Sequence, residues 1–208
     1  MKLSVLIPVY NEMKTLAEIV KRVENVKMGG VEKEIIIIDD CSSDGSAEFI
    51  KNIKGKNIKK FFHQANKGKG AAIRTGLAHA TGSVIIIQDA DLEYNPDDYK
   101  TLLDAMFNLK ASVVYGTRMS SLTRKQMHTM HYFGNKVLTF FTNLLYHCRI
   151  TDMETCYKMF RMEVVRGMNL KARKFDFEPE ITAKILKRGY KIYEVPINFN
   201  PRTFKEGK

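Results

Sequence analysis

The stretch EIIIID, residues 34–39, sets the tightest limit on the fold. Four isoleucines stand in a row with no polar residue among them. Branched side chains favour extended backbone. A strand points alternate side chains to opposite faces, so both faces of this one are apolar. It must therefore be covered on both sides, as central strands of parallel sheets are. Similar runs recur. KLSVLIP (2–8) reads as a strand stopped by Pro8, IKKFFHQ (58–64) contains a third, SVIIIQD (83–89) is a fourth and ASVVYG (111–116) a fifth. Helical periods lie between them. Leu16, Ile19, Val20 and Val23 share one helical face, a short helix is expected near 47–53, and another over about 69–80. Asn95 reads as an N-cap with Pro96 at the first helical position, for a helix reaching about 109. Two more helices are expected near 163–168 and 178–188, then a strand in KIYEVPINF (191–199). This alternation predicts one α/β domain with a mostly parallel central sheet flanked by helices. The 208 residues suffice for one such domain.

Charge narrows the partners. There are 34 Lys+Arg against 23 Asp+Glu, a formal net charge of +11. Such a balance suits a polyanion: a nucleotide, a nucleic acid or an anionic membrane surface. The basic-aromatic patterns of RNA-binding modules are absent, which argues against nucleic acid. Cys41, Cys148 and Cys156 are odd in number and lack metal-ligand spacing. They predict no disulfide framework and a reducing, cytosolic setting. MKLSVLIPVY does not read as a signal peptide, and no apolar run reaches the roughly 18 residues of a bilayer span.

In open α/β sheets ligands sit beyond the carboxyl ends of the strands. Polar residues collect there: PVYNE after strand one, Asp39 and Asp40 after strand two, Gly116-Thr117-Arg118 after strand five. NKGKGAAIRTG is neither a dinucleotide fingerprint nor a P-loop. It still offers a glycine turn opening a helix beside Lys67 and Lys69, either an anion site or an ordinary surface turn. After strand four, DADLE places Asp89, Asp91 and Glu93 at alternate positions. Carboxylates that close repel unless something positive sits among them. Asp89-Ala90-Asp91 suits Mg²⁺, which takes one or two carboxylates together with waters and substrate phosphates. Glu93 is either a third ligand or part of an acidic loop.

Together PVYNE, IIDDCSSDGS, NKGKGAA, DADLEYNP, YGTR and EVPINFNPRTFKEGK resemble glycosyltransferase family 2 with its GT-A fold. Within it they are most similar to the polyprenyl-phosphate sugar transferases of the dolichyl-phosphate mannosyltransferase type. The resemblance is looser over about 120–149. It implies an inverting enzyme that moves mannose or glucose from GDP-mannose or UDP-glucose to a polyprenyl or dolichyl phosphate, using Mg²⁺ or Mn²⁺. It implies that Pro8, Tyr10 and Glu12 contact the nucleotide, and that Ile38 and Asp40 hold the base and ribose neighbourhood. Lys69 is expected beside the phosphates. Asp89, Ala90 and Asp91 would meet the sugar-nucleotide and metal, with Glu93 beside them. Arg118 would lie near the phosphates, and Arg202 and Lys208 would clamp the diphosphate or acceptor phosphate. Asp91, Arg118 and Asp152 are the implied catalytic residues, with Asp152 (in TDMETCYK) positioning sugar or acceptor, or acting as a base. Residues 1–118 would form the donor part and 119–208 the acceptor part.

In HYFGNKVLTFFTNLLYHC, Phe133, Val137, Phe140, Phe141, Leu144 and Leu145 recur at helical spacing, predicting an amphipathic helix over about 129–147. Beside Arg124, Lys125 and Lys136 it would lie on a membrane surface or bury its face in the protein. Where dolichyl-phosphate members carry an Arg near this helix's start, this chain has Tyr132-Phe133, with His131 and Lys136 as the nearest substitutes. Glu178 and Glu180 either line a sugar pocket or complement a helix dipole. The expected setting is the cytoplasmic face of a membrane, with or without a separate membrane subunit. The alternative is a family 2 enzyme acting on a hydroxyl of a saccharide or small molecule.

Overall fold

The computed structural model describes residues 1–119 and 129–202. The apolar runs form β1 (Lys2–Val9), β2 (Glu32–Asp39), β3 (Ile58–Phe62), β4 (Val84–Ile87) and β5 (Val113–Thr117). Two more strands, β6 (Lys158–Arg161) and β7 (Tyr193–Pro196), complete a seven-stranded sheet of order β3-β2-β1-β4-β6-β5-β7. Pairing is parallel except around β6, which runs antiparallel to both β4 and β5. Helices α1 (Met13–Asn25), α2 (Ser46–Asn52), α3 (Lys69–His79), α4 (Asp98–Asn108), α5 (Thr129–Tyr146), α6 (Met162–Val165) and α7 (Phe177–Lys187) connect and cover the strands. β1 sits between β2 and β4. The chain therefore leaves β1 to one side and returns on the other, which opens a crevice at the carboxyl ends of these strands.

The four residues α1 buries are Leu16, Ile19, Val20 and Val23, as their spacing predicts. α3 buries mostly small residues around Ile73, and a Cβ on Gly76 would come within 2.9 Å of Ile38 Cδ1. Small side chains let this helix lie close on the sheet.

Several elements differ from expectation: β1 runs through Pro8, which pairs with Ile38, to Val9, α6 ends at Val165, and α4 and β6 also depart. α4 begins at Asp98, two residues later than Pro96 suggested. Asn95 instead makes a turn of its own. Its side-chain oxygen accepts the Asp97 N–H at 3.1 Å, and the Asn95 and Pro96 carbonyls accept the Asp98 and Tyr99 N–H groups. Strand β6 has no forecast in the sequence. It is four residues long, and charged Lys158 and Arg161 stand at its ends. Lys158 is fully buried, donating to the Met153 and Thr155 carbonyls with its Nζ 4.8 Å from the centre of the Tyr115 ring.

Helix α5 is amphipathic with its polar side inward. Asn135 and Thr139 are buried, while Phe133, Phe140, Phe141, Leu144 and Leu145 are exposed. The inner row grips the backbone that follows the helix. Asn135 accepts the Glu154 N–H, Thr139 the Met153 N–H and Asn143 the Ile150 N–H, at 2.9–3.2 Å. No helix among the described residues is long and apolar enough to cross a membrane.

Candidate functional site

The loops after β1 and β2 are stitched to each other. Asn11 Oδ1 accepts the Ser43 N–H at 2.8 Å, and the Asn11 and Glu12 N–H groups donate to Ser42 and Ser46 hydroxyls. Asp44 accepts the Met13 N–H at 2.9 Å, capping α1 from outside that helix. Glu12, at the N-cap position, keeps its carboxylate for other work. Tyr10 is left 50% exposed at the crevice.

Asp40 is almost fully buried and fully engaged. Its carboxylate accepts the Lys67 and Gly68 N–H groups at 3.0 and 2.6 Å and meets His63 Nδ1 at 2.6 Å. It fixes the loop that opens α3. The glycines of NKGKG serve a contact that the sequence did not suggest. A Cβ on Gly68 would fall 2.3 Å from the Arg173 carbonyl oxygen, and one on Gly70 would fall 2.7 Å from that of Ala172. The Ala71 N–H donates to the Arg173 carbonyl at 3.2 Å, so a backbone oxygen already occupies part of this helix N-terminus. The segment before α7 is seated there, and no open anion cradle forms.

The Asp-x-Asp stretch is held from below. Gln88 is buried and its amide oxygen accepts the Tyr99 and Tyr157 hydroxyls at 2.6 and 2.7 Å, while its amide N–H donates to the Asp89 carbonyl. None of these three residues is assigned a role from the sequence. The signal was available, since a glutamine ending an isoleucine strand needs buried partners. Lys69 bridges Asp89 at 2.8 Å and Glu178 at 3.0 Å. Burial alone would lower its ammonium, but these two carboxylates hold it well above the ordinary lysine value. Glu178 thus enters the site through Lys69, whereas Glu180 turns away to accept the Lys171 and Ala172 N–H groups. Asp91 accepts the Glu93 N–H at 3.0 Å, a local turn. Burial, then the charges of Asp89 and Glu93, push its carboxyl up to about 7.

Arg202 reaches this edge along a strap. The segment 198–202 runs back beside residues 93–98: Asn198 donates to Asp98, Phe199 bridges Tyr94, and the Asn200 N–H donates to the Glu93 carbonyl at 2.8 Å. The Arg202 N–H then donates to the Glu93 carboxylate at 2.9 Å. Its guanidinium forms a two-pronged pair with Glu12 at 2.9 and 3.0 Å and lies 3.4 Å from Asp91. The residues that close the crevice are therefore Glu12, Asp91 and Arg202.

Arg118 and Asp152 form a separate cluster. Arg118 gives two side-chain hydrogen bonds at 2.8 Å and its backbone N–H at 2.9 Å to the Asp152 carboxylate. Asn135 adds a fourth donor at 2.7 Å. Asp152 is 0% exposed. Burial raises its carboxyl, but the hydrogen bonds and charge of Arg118 outweigh that and hold it below the usual carboxylate value. A carboxylate so bound is a poor base, which corrects the expectation that Asp152 accepts a proton. Arg118 lies against the Phe199 and Tyr94 rings and does not line the crevice. Ile38 is also corrected. It is 0% exposed and packs under α3, so its side chain belongs to the core. Lys208, Arg124 and Lys125 lie outside the described residues.

What remains open is a cavity of about 350 Å³. Pro8, Tyr10, Asp40 and Lys69 line it, as do Asp89, Ala90, Asp91, Glu12 and Arg202. Lys174 and Phe175, from the segment seated on α3, line it as well. Among the described residues no three His, Cys, Asp or Glu groups are placed to hold a metal ion, so Asp89, Asp91 and Glu93 do not form a cage. Asp89 and Asp91, two carboxylates lining one cavity, fit a hard divalent ion that takes its other ligands from water and a diphosphate.

A family model described as Glycosyl transferase family 2 matches residues 4–168. Among solved structures, glucosyl-3-phosphoglycerate synthase from Mycobacterium tuberculosis superposes with a TM-score of 0.74 at 16% identity, covering 97% of this chain and 72% of its own. Its complex with Mn²⁺, UDP and glucosyl-3-phosphoglycerate gives 0.71 at 16% identity, over 99% of this chain and 74% of the other. S. aureus TarS 1-349 gives 0.63 at 20% identity, over 94% of this chain, which spans only 58% of that one.

Proposed function

This chain belongs to glycosyl transferase family 2, and from that premise we propose that it moves a hexose from a nucleotide-sugar to a polyprenyl phosphate at a membrane surface. The type of enzyme proposed is the inverting, dolichyl-phosphate mannosyltransferase type. Residues 1–118 supply most of the donor side, joined there by Lys174, Phe175 and Arg202, and the rest of the chain supplies the acceptor side. The donor reading is supported by the cavity at the β1/β4 switch point, with Asp89 and Asp91 at one end and Tyr10 in its lining. It is supported too by similar folds crystallised with UDP and Mn²⁺ or with UDP-GlcNAc.

The acceptor reading is carried by the capture of Asp152. A sugar hydroxyl needs a base to remove its proton, and the carboxylate expected to do so is consumed by Arg118 and Asn135. A phosphate monoester is already anionic near neutral pH. Its oxygen attacks the anomeric carbon, and the bond from that carbon to the diphosphate breaks on the opposite side. Mg²⁺ or Mn²⁺, held by Asp89 and Asp91, would stabilise charge on the departing diphosphate. Lys69 holds Asp89 in place, and Arg202 offers a guanidinium to the phosphates once it releases Glu12. The inner face of α5 bonds Asp152 through Asn135, while its outer face exposes Phe140, Phe141 and Leu144, which suits an acceptor with a lipid tail at the cytoplasmic face of a membrane.

The test is turnover. The protein is incubated with GDP-mannose or UDP-glucose, Mg²⁺ or Mn²⁺ and a short polyprenyl phosphate, and lipid-linked sugar is followed. Product that disappears with EDTA and with Asp91→Ala supports the reading and identifies the sugar. Donor binding without lipid product moves the assignment to a hydroxyl acceptor.

A further inference from the structure

Phe175 is 76% exposed, yet it is not on a loose tip. Its neighbours are pinned on both sides. The Arg173 carbonyl accepts the Ala71 N–H, and the Ala172 carbonyl accepts Arg74 Nη1 at 2.7 Å. The Lys174 N–H donates to Asp176 Oδ1 at 2.8 Å. A backbone held this firmly presents Phe175 to the same cavity as Tyr10, which comes from the end of β1. The cavity's cations differ in the same telling way. Lys69 is engaged by Asp89 and Glu178, and Arg202 by Glu12 and Asp91. Among the described residues, Lys174 Nζ makes no hydrogen bond or ion pair.

We propose that the segment 171–176 caps the nucleotide: Phe175 stacks on the nucleobase and Lys174 meets a phosphate. This rests on the nucleotide-sugar reading above and adds the residues that grip the donor from the α7 side. A phenyl ring stacks on any base face, so it raises affinity without selecting the base. An ammonium with no partner of its own meets an incoming phosphate without first breaking a pair.

Calorimetric binding of UDP, GDP and inorganic pyrophosphate to the whole chain tests this. Phe175→Ala should weaken UDP and GDP roughly ten-fold or more, leave pyrophosphate unchanged and leave the melting temperature unchanged. Phe175→Tyr should restore UDP and GDP binding. Lys174→Ala should weaken all three ligands. If the parent binds UDP or GDP and Phe175→Ala binds it equally well, this inference is overturned while the donor reading stands. If the parent binds neither nucleotide, both fall.

Discussion

Asp91 is held where ionisation is costly. Burial and the charges of Asp89 and Glu93 lift its carboxyl to about 7, against roughly 3.9 in an unfolded chain. Between those values the folded chain keeps a proton that the unfolded chain has lost. Stability from this group is therefore fullest below the unfolded value and falls as pH rises toward 7, by about 1.4 kcal/mol for each pH unit. Asp91→Asn should match the parent in urea unfolding near pH 4 and exceed it near pH 8. An equal gap at both would show that Asp91 is not the strained group. Asp89 and Asp91 were legible because an acidic pair directly after a buried strand has few structural uses. Asp152 was not, since its partners Arg118 and Asn135 stand 34 and 17 residues away and a carboxylate looks the same in sequence whether free or captured.

At the scale of elements, glycine spacing and helix periodicity told different amounts. The NKGKG turn reads either as an anion site, because glycines at a helix start can keep backbone open to a ligand, or as an ordinary surface turn. Here they make room for residues 172 and 173. Gly70→Ala, which in a free helix would gain about 1 kcal/mol, should instead cost roughly 1–3 kcal/mol because a carbonyl must move. Urea unfolding reads the loss, and faster amide exchange over 171–176 should accompany it. A gain in stability would mean that the segment shifts freely. The period of α5 was legible but its direction was not. Apolar spacing marks a face, and only the partners of Asn135, Thr139 and Asn143 show that the polar face turns inward. Phe140→Glu with Leu144→Glu should abolish co-flotation with anionic vesicles while leaving the melting temperature within a degree or so, because both side chains are more than half exposed. Unchanged flotation would remove α5 from the membrane reading.

Across the whole molecule, the parallel half of the sheet was readable from local runs, with β1, β2 and β4 apolar enough to declare themselves. The reversal at β6 was not. It depends on α5 returning the chain between β4 and β5, a long-range outcome that four residues with a buried lysine cannot announce. The same holds for the closure of the site, in which residue 202 meets residue 12. In the free chain Arg202 supplies the positive charge that Glu12, Asp91 and Glu93 require, and a divalent ion with a diphosphate would have to take over that duty. Arg202→Gln should therefore lower stability by about 1–3 kcal/mol without metal at neutral pH, because carboxylates are left unpaired in a half-buried site. Millimolar Mn²⁺ or Mg²⁺ should narrow the difference, since an ion bound only by the folded state stabilises most where charge is least compensated. Thermal melts of both chains with and without metal measure this. If metal raises both melting temperatures equally, or neither, Arg202 and the metal do not share a position, and the strap would hold the fold together without yielding to the donor.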